Sequence, residues 1–397
     1  VTMMDDAKLA NGSMIPSILG SGEGDPYPLY DALRESGGVY RDPQGTWLVA
    51  GHALVMQVLR DRDGIFLTQP LGDEFVCARG SFQRHSGGEH ARLRDAMAPL
   101  FRRAPIESLR SSINREASSL IRMSAAAGEF ELSAIALVLA VQTVCGLLGI
   151  ARRDAATWLG ACVSASSFLV EPVVTDAMCA ELMPGLDRFM ALVRNFVDDV
   201  ERHGAPDHPI RPLLEFEAQG VLSRDELLDN LVVLFVAGFG TTARAMCGTV
   251  VLALQQRCIW EACVKDRGAV SKVVRELMRL DGVAHGVLRY PSRDIELGGQ
   301  RIGRGDPMLL LLASANRDPH AFVHPETIDL TRSAADNLSF GAGAHACIGR
   351  ALGMIGVEAV WHALLDTMPA AVLDFERLRR YQGGVVHGYA DVWLRSS

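Results

Sequence analysis

From Arg224 to Gln256 apolar residues recur at helical spacing, and Ser223-x-x-Glu226 at the start has the form of a capping box. At 1.5 Å per residue those thirty-three residues make a helix about 50 Å long. A helix of that length crosses a whole domain, so the remaining elements must be laid around it. Its interior holds Gly238, Gly240 and the β-branched pair Thr241–Thr242, and each glycine costs about 1 kcal/mol relative to alanine. That cost predicts a requirement for open backbone at this point.

The same period recurs at 52–60, 89–102, 107–126, 132–149, 178–202 and 269–280, after a first helix from Asp25-Pro26-Tyr27-Pro28 to about Glu35. Strand-like alternation is confined to 286–303, to 383–395 and to a hairpin of Val39–Tyr40 and Trp47–Val49 around Asp42-Pro43-Gln44-Gly45. The expectation is a mainly α protein with small β-sheets. No repeat divides it, and the Pro/His break at 203–209 is loop-sized, so residues 1–397 read as one domain. Residues 62–87 carry Gly64, Pro70, Gly72, Gly80 and Gly87 without a period and read as a long loop.

With 49% hydrophobic and 22% charged residues the chain can bury a large core. A net charge of −8 excludes a nucleic-acid groove as its main purpose, since phosphate binding needs clustered Lys and Arg. Asp5 and Asp6 stand where a secretory leader needs basic residues, which predicts a cytoplasmic protein. The uncharged run Leu132–Ala151 approaches membrane-spanning length, but it contains Gln142, Thr143, Gly146 and Gly149 and reads as a buried core helix, with no membrane partner. Eight scattered cysteines without Cys-x-x-Cys spacing indicate neither a disulfide framework nor a zinc site.

The strongest chemical signal is Phe340-Gly-Ala-Gly343-Ala-His345-Ala-Cys347-Ile-Gly349. Its glycines allow a tight turn, Phe340 can lie against a flat ligand, and a lone Cys precedes a predicted helix from about Ile348 to Leu365. A helix N-terminus favours the thiolate, the form that ligates metal. One Cys without a neighbouring His or Cys fits neither zinc nor an iron–sulfur cluster, but it fits an iron whose equatorial ligands come from a porphyrin. The plainer alternative is a buried structural cysteine in a glycine-rich turn.

This segment resembles the haem-binding loop of the cytochrome P450 superfamily, the haem-thiolate monooxygenases, in its soluble bacterial form of secondary metabolism. The likeness extends along the chain: Glu276-Leu-Met-Arg279 resembles the family's Glu-x-x-Arg helix, and Ala315-Asn-Arg-Asp-Pro319 and Arg332 fall where bacterial members place theirs. It implies one large triangular-prism-like helical domain holding haem b. Cys347 is then the axial ligand of the iron, with Phe340, Gly341 and Gly349 shaping the loop, and His90, Arg94, Arg289 and His345 meet the propionates. Glu276, Arg279 and Arg332 form a structural ion-pair network by the same analogy. Ala237-Gly238-Phe239-Gly240-Thr241-Thr242 resembles the oxygen-binding stretch, in which Gly238 opens the helix and Thr241 offers a hydroxyl to dioxygen. Here the chain departs from the pattern, because Gly240 replaces the usual Glu or Asp of the proton relay. The expectation is that a polar group of the substrate, with water in the space beside Gly240, completes that relay.

The activity so implied is hydroxylation or another oxidation of a hydrophobic or aromatic secondary-metabolite intermediate, first of all an aromatic polyketide acid, free or on an acyl carrier protein. Because the chain carries no flavin or nicotinamide fingerprint, electrons must come from a separate ferredoxin and ferredoxin reductase, with Arg92, Arg102, Arg103 and Arg350 as a landing site. By the same resemblance the pocket is lined by the 66–87 loop, Phe168, Val233 to Thr241, Ala284, His285, Val287 and Val386, with His285 as the polar contact. Two other readings use the same cysteine. A peroxide-driven or non-redox haem-thiolate enzyme, such as an isomerase, is compatible with Gly240, but Thr241 and the lack of an Arg–Pro pair in the helix argue against it. A non-catalytic haem sensor would leave the substrate pocket without a use.

Overall fold

The capping box forms as the sequence predicts: the Glu226 amide donates to Ser223 Oγ at 3.2 Å and the Ser223 amide to Glu226 Oε2 at 2.8 Å. The helix it starts runs over Arg224–Gln255. This computed structural model describes residue 18 and residues 24–70, 78–170, 176–381 and 383–396; for 164–170, 176–180 and 182 it describes backbone alone.

The long helix is continuous through Gly238 and Gly240, so the expected opening of its backbone does not occur. Gly238 serves packing instead. A Cβ there would stand 2.8 Å from Val144 Cγ2 on the neighbouring helix Leu132–Leu148, and glycine removes that collision. Gly238→Ala is expected to destabilise the protein by about 1–3 kcal/mol through overpacking, with part of the loss recovered in the Gly238→Ala/Val144→Ala double variant. Denaturant melts of the three variants measure this; an unchanged midpoint for Gly238→Ala would refute the packing account.

The described chain gathers into two compact units, each built from separated stretches of sequence. One comprises residues 75–277, 348–381 and 388–397 and contains the long helix. Leu132–Leu148 packs along that helix, and Arg350–Thr367 packs on Arg103–Ala125 and on the long helix. Trp361 donates its indole N–H to Thr249 Oγ1 at 3.0 Å, satisfying a buried polar atom where these helices meet. Trp158 lies with ring centroids 5.9, 5.4 and 5.1 Å from Phe189, Phe196 and Phe235, which fastens Ala155–Val170 and Asp176–His203 to the long helix. The run 132–148 is thus a core helix. The long helix itself is apolar and long enough to cross a bilayer, but 67% of its most apolar window is buried in protein.

The other unit comprises residues 1–74, 278–347 and 382–387. Its five-stranded sheet has the order Val39–Arg41, Trp47–Val49, Met308–Leu311, Gly286–Pro291, Phe66–Leu67. Trp47, Leu48 and Val49 pair in parallel with Met308, Leu309 and Leu310. The two strands bury both faces, and neither shows the polar–apolar alternation of a half-exposed strand.

Candidate functional site

The Phe340–Gly349 segment is a turn closed on itself. The Cys347 amide donates to the Phe340 carbonyl at 2.8 Å, that of Gly341 to Leu338 at 2.8 Å and that of Ala346 to Gly343 at 3.1 Å. Gly341 and Gly343 sit at φ +66° and +69°. At Gly343 a Cβ would also come within 1.8 Å of the Leu59 carbonyl oxygen, so only glycine fits. Cys347 is exposed, its own amide is taken by Phe340, and the helix after it begins at Arg350 with Gly349 as N-cap, slightly later than the periodicity placed it.

Other cysteines differ in kind. Burial pushes the thiols of Cys145, Cys162 and Cys247 up to about 12 and that of Cys263 to about 11. Among the described residues, accessible sulfur is left at Cys258 and Cys347, neither in a disulfide.

The cysteine turn rests on a buried bracket. Arg279, 1% exposed, donates to the carbonyls of Asn316, Pro325 and Thr327 at 2.8, 2.7 and 3.0 Å. Asn316 in turn accepts the Leu338 amide at 2.7 Å, and Ser339 Oγ donates to the Met278 carbonyl at 2.7 Å. Arg332 clamps the carbonyls of Val323 and His324 at 2.7 and 2.9 Å, and Glu276 is buried on the same helix as Arg279. The Asn316 link escapes sequence reasoning, because nothing in the Ala-Asn-Arg-Asp-Pro stretch names its partner.

A test of fit for an anionic prosthetic group comes from Arg289, in the same unit as Cys347 and His345. Its side chain is buried, its sole hydrogen bond among the described residues is from Nη1 to the adjacent Leu288 carbonyl at 2.7 Å, and burial alone brings its pKa down to about 10. A buried guanidinium with no carboxylate within ion-pair reach among the described residues is suited to receive a carboxylate from a ligand, which is what a propionate supplies. His345 and Phe340 are half-buried in the turn. In the other unit His90, 3% exposed, and half-buried Arg94 lie four apart on Gly87–Met97, hence on one helical face.

On the long helix the residues from Leu227 to Val250 are mostly buried, yet Ala237 is exposed and Gly238, Gly240, Thr241, Thr242 and Arg244 are half-buried. Thr241 donates its hydroxyl back to the Ala237 carbonyl at 2.7 Å, which leaves its oxygen lone pairs to accept from a ligand. The space beside Gly240 is not open for water as expected. Arg244 fills it: its Nη1 donates to the Gly240 carbonyl at 2.9 Å and would lie 2.9 Å from a Cβ at that position.

Of the proposed lining residues, Ala284 and Val386 are brought together by an antiparallel bridge, and Val287 is half-buried in the sheet beside them. Val233 is buried, and Phe168 lies outside the residues whose side chains are described. His285 is not a pocket contact. It is 1% exposed, stacked on His387 at 3.7 Å, with Nδ1 3.0 Å from Tyr30 Oη and Nε2 3.5 Å from Asp281, because it closes a polar cluster inside its own unit. The described part of the 66–87 loop is pinned by Asn230, which accepts the Phe82 amide at 2.9 Å and donates to the Gly80 carbonyl at 3.0 Å. Arg92 is not available for a partner either: it pairs with Glu89 and Glu226 and donates to the Val221 carbonyl. Arg102, Arg103 and Arg350 are exposed.

A family model described as Cytochrome P450 matches residues 249–370. The 20-oxo-5-O-mycaminosyltylactone 23-monooxygenase of Streptomyces fradiae is 31% identical over 304 residues, 76% of this chain and 70% of that protein. The cytochrome P450 monooxygenase PikC of Streptomyces venezuelae is 29% identical over 378 residues, 88% of this chain and 85% of PikC. The crystal structure of P450BioI in complex with hexadec-9Z-enoic acid ligated acyl carrier protein matches with a TM-score of 0.86 at 22% identity, over 94% of this chain and 99% of that one, which shows the fold. The mainly α architecture with small sheets is thus the P450 fold, and the family brings with it a haem-thiolate centre and a need for redox partners. The chain belongs to the cytochrome P450 family, as a monooxygenase of bacterial secondary metabolism.

Proposed function

We propose that Cys347 is the thiolate ligand of haem b, that Arg289, His345, His90 and Arg94 receive its propionates, and that the enzyme oxidises a hydrophobic secondary-metabolite intermediate, first of all an aromatic polyketide acid. The observation that carries this is Arg289: a desolvated guanidinium without a carboxylate among the described residues, in the unit whose glycine turn presents an exposed cysteine. When bound, the haem activates dioxygen with two electrons, and its thiolate ligand favours O–O cleavage. The protein's part is to hold and supply. Phe340 would pack against the ring, Gly341 and Gly349 would let the turn approach it, and the bracket of Arg279 and Asn316 would keep the sulfur in register. Thr241 holds a hydroxyl on the open face of the long helix, where its oxygen can accept and pass a proton once its bond to Ala237 is exchanged. Electrons arrive from a ferredoxin and its reductase at the exposed Arg102, Arg103 and Arg350. A cytoplasmic setting suits that supply.

Reconstitution with a ferredoxin, its reductase and NADPH against a panel of polyketide acids, offered free and loaded on an acyl carrier protein, tests the reading. Product that needs NADPH and all three proteins is the expected result. Product driven by peroxide alone, or a haem protein that turns over nothing in the panel, would reject it.

A further inference from the structure

We infer that Arg244 is the anion receptor of the substrate site: it binds the carboxylate of an acidic hydrophobic substrate and fixes which end of that molecule faces Thr241. The inference rests on the monooxygenase reading above and adds to it the charge of the substrate and the residue that selects it.

Ala237, Thr241 and Arg244 are spaced four and three apart, so they share one helical face; Ala237 is exposed and Thr241 and Arg244 are half-buried, although the helix is buried on either side of them. Arg244 is held with unusual care. Its guanidinium stacks on the Tyr381 ring, Cζ 3.4 Å from the centroid, while Nη1 is fixed on the Gly240 carbonyl at 2.9 Å. Two glycines make the room: a Cβ at Gly240 would meet Nη1 at 2.9 Å, and at Gly388, φ +146°, a Cβ would meet Arg244 Cβ, Cγ and Cδ at 3.0, 3.3 and 3.5 Å.

Among the described residues the cation so placed has no counter-charge. No carboxylate lies within ion-pair distance among the described residues, Nε is buried without an acceptor, and burial lowers the group's pKa, opposed by Tyr381, which also hydrogen-bonds the guanidinium, and by Cys247. Arginine does not shed its proton in proteins, so neutralisation offers no relief. What remains is a ligand anion, and a planar carboxylate matches the donors left on the guanidinium's terminal nitrogens.

The same geometry accounts for the missing acid. A Glu at 240 would stand i, i+4 from Arg244, the spacing at which carboxylate and guanidinium pair on a helix, and would consume the cation from within. Glycine leaves it for the substrate. A thioester on a carrier protein has no carboxylate to offer, so the receptor favours a free acid.

The test uses the purified holoenzyme, with 2-naphthoate, biphenyl-4-carboxylate and dodecanoate each titrated against its own methyl ester at neutral pH and binding read from the haem absorbance. At least one acid is expected to bind on the order of tenfold to a hundredfold more tightly than its ester, the scale of a charge-assisted hydrogen bond. Arg244→Gln should bring that ratio to about one while ester affinity holds, Arg244→Lys should keep part of it, and Gly240→Glu should erase it by pairing with Arg244. Failure of every acid to outbind its ester in the wild type, or an undiminished preference in Arg244→Gln, overturns the inference. Should Arg244→Gln not fold, Gly240→Glu decides alone, a retained preference counting against. The thiolate-type absorbance of the reduced carbon monoxide complex is recorded before any probe is added. Its absence would sink the monooxygenase reading, whereas its presence without an acid preference sinks only the receptor.

Discussion

Cys347→Ala protein is expected to lose the strongly red-shifted Soret band of the reduced carbon monoxide complex completely, and product formation with it. No other described cysteine can substitute. Cys145, Cys162, Cys247 and Cys263 are buried, with thiols raised to about 11 or 12, so the anion needed to ligate a metal is suppressed. Cys258 is exposed but sits on a nine-residue helix, Arg257–Lys265, with no glycine turn to present it. Cys347→Ser should behave like the alanine variant in this spectrum, because an alcohol lacks the electron donation of sulfur. A surviving red-shifted band in either variant would place the ligand elsewhere.

The second large effect belongs to Gly343. Gly343→Ala puts a methyl 1.8 Å from the carbonyl oxygen and 2.8 Å from the carbonyl carbon of Leu59, at φ +69°. Both obstacles are backbone, so no rotamer change relieves them. The loss should exceed about 4 kcal/mol, the range reserved for substitutions the fold cannot accommodate, and the protein should emerge with little haem. Gly341→Ala is the control: the same left-handed backbone at φ +66° but nothing within 4 Å, so only the conformational cost of about 1–2 kcal/mol applies. Haem-to-protein ratio and thermal melting of the two variants side by side measure the difference. Similar melting points would show that the turn does not approach Leu59 as closely as the structure has it.

These predictions stand on motifs readable from the residues, because a glycine-rich turn around a cysteine is local. The same is true of the capping box at Ser223 and of most helices, where an apolar stripe repeats within a few turns. Among the described residues, three helices of eight residues or more were not legible. Ala155–Val170 mixes small, apolar and hydroxyl residues and offers no clear period; Arg211–Ala218 is two turns long with a proline in its first turn; Arg257–Lys265 follows the long helix almost without a break. The site was legible where identity decides and illegible where packing does. Gly238 reads as a place for the helix to open, and only the nearness of Val144 shows its use. His285 looks like a polar wall residue until Tyr30, more than two hundred and fifty positions earlier, turns out to hold it. Arg244 carried a usable signal, its spacing of four from Gly240, but its partner Tyr381 lies too far along the chain to be inferred.

The order of strands in the sheet also sets an order in time. Trp47–Val49 has the hairpin strand Val39–Arg41 on one side within ten residues, but on the other it must wait for Met308–Leu311. A chain growing from its N-terminus therefore carries an unfinished apolar strand edge through most of its synthesis, and cannot close the sheet until the second half has emerged. During that interval the edge is a template for pairing with other chains, so recovery of folded protein depends on how quickly, and in what company, the ribosome delivers residue 311.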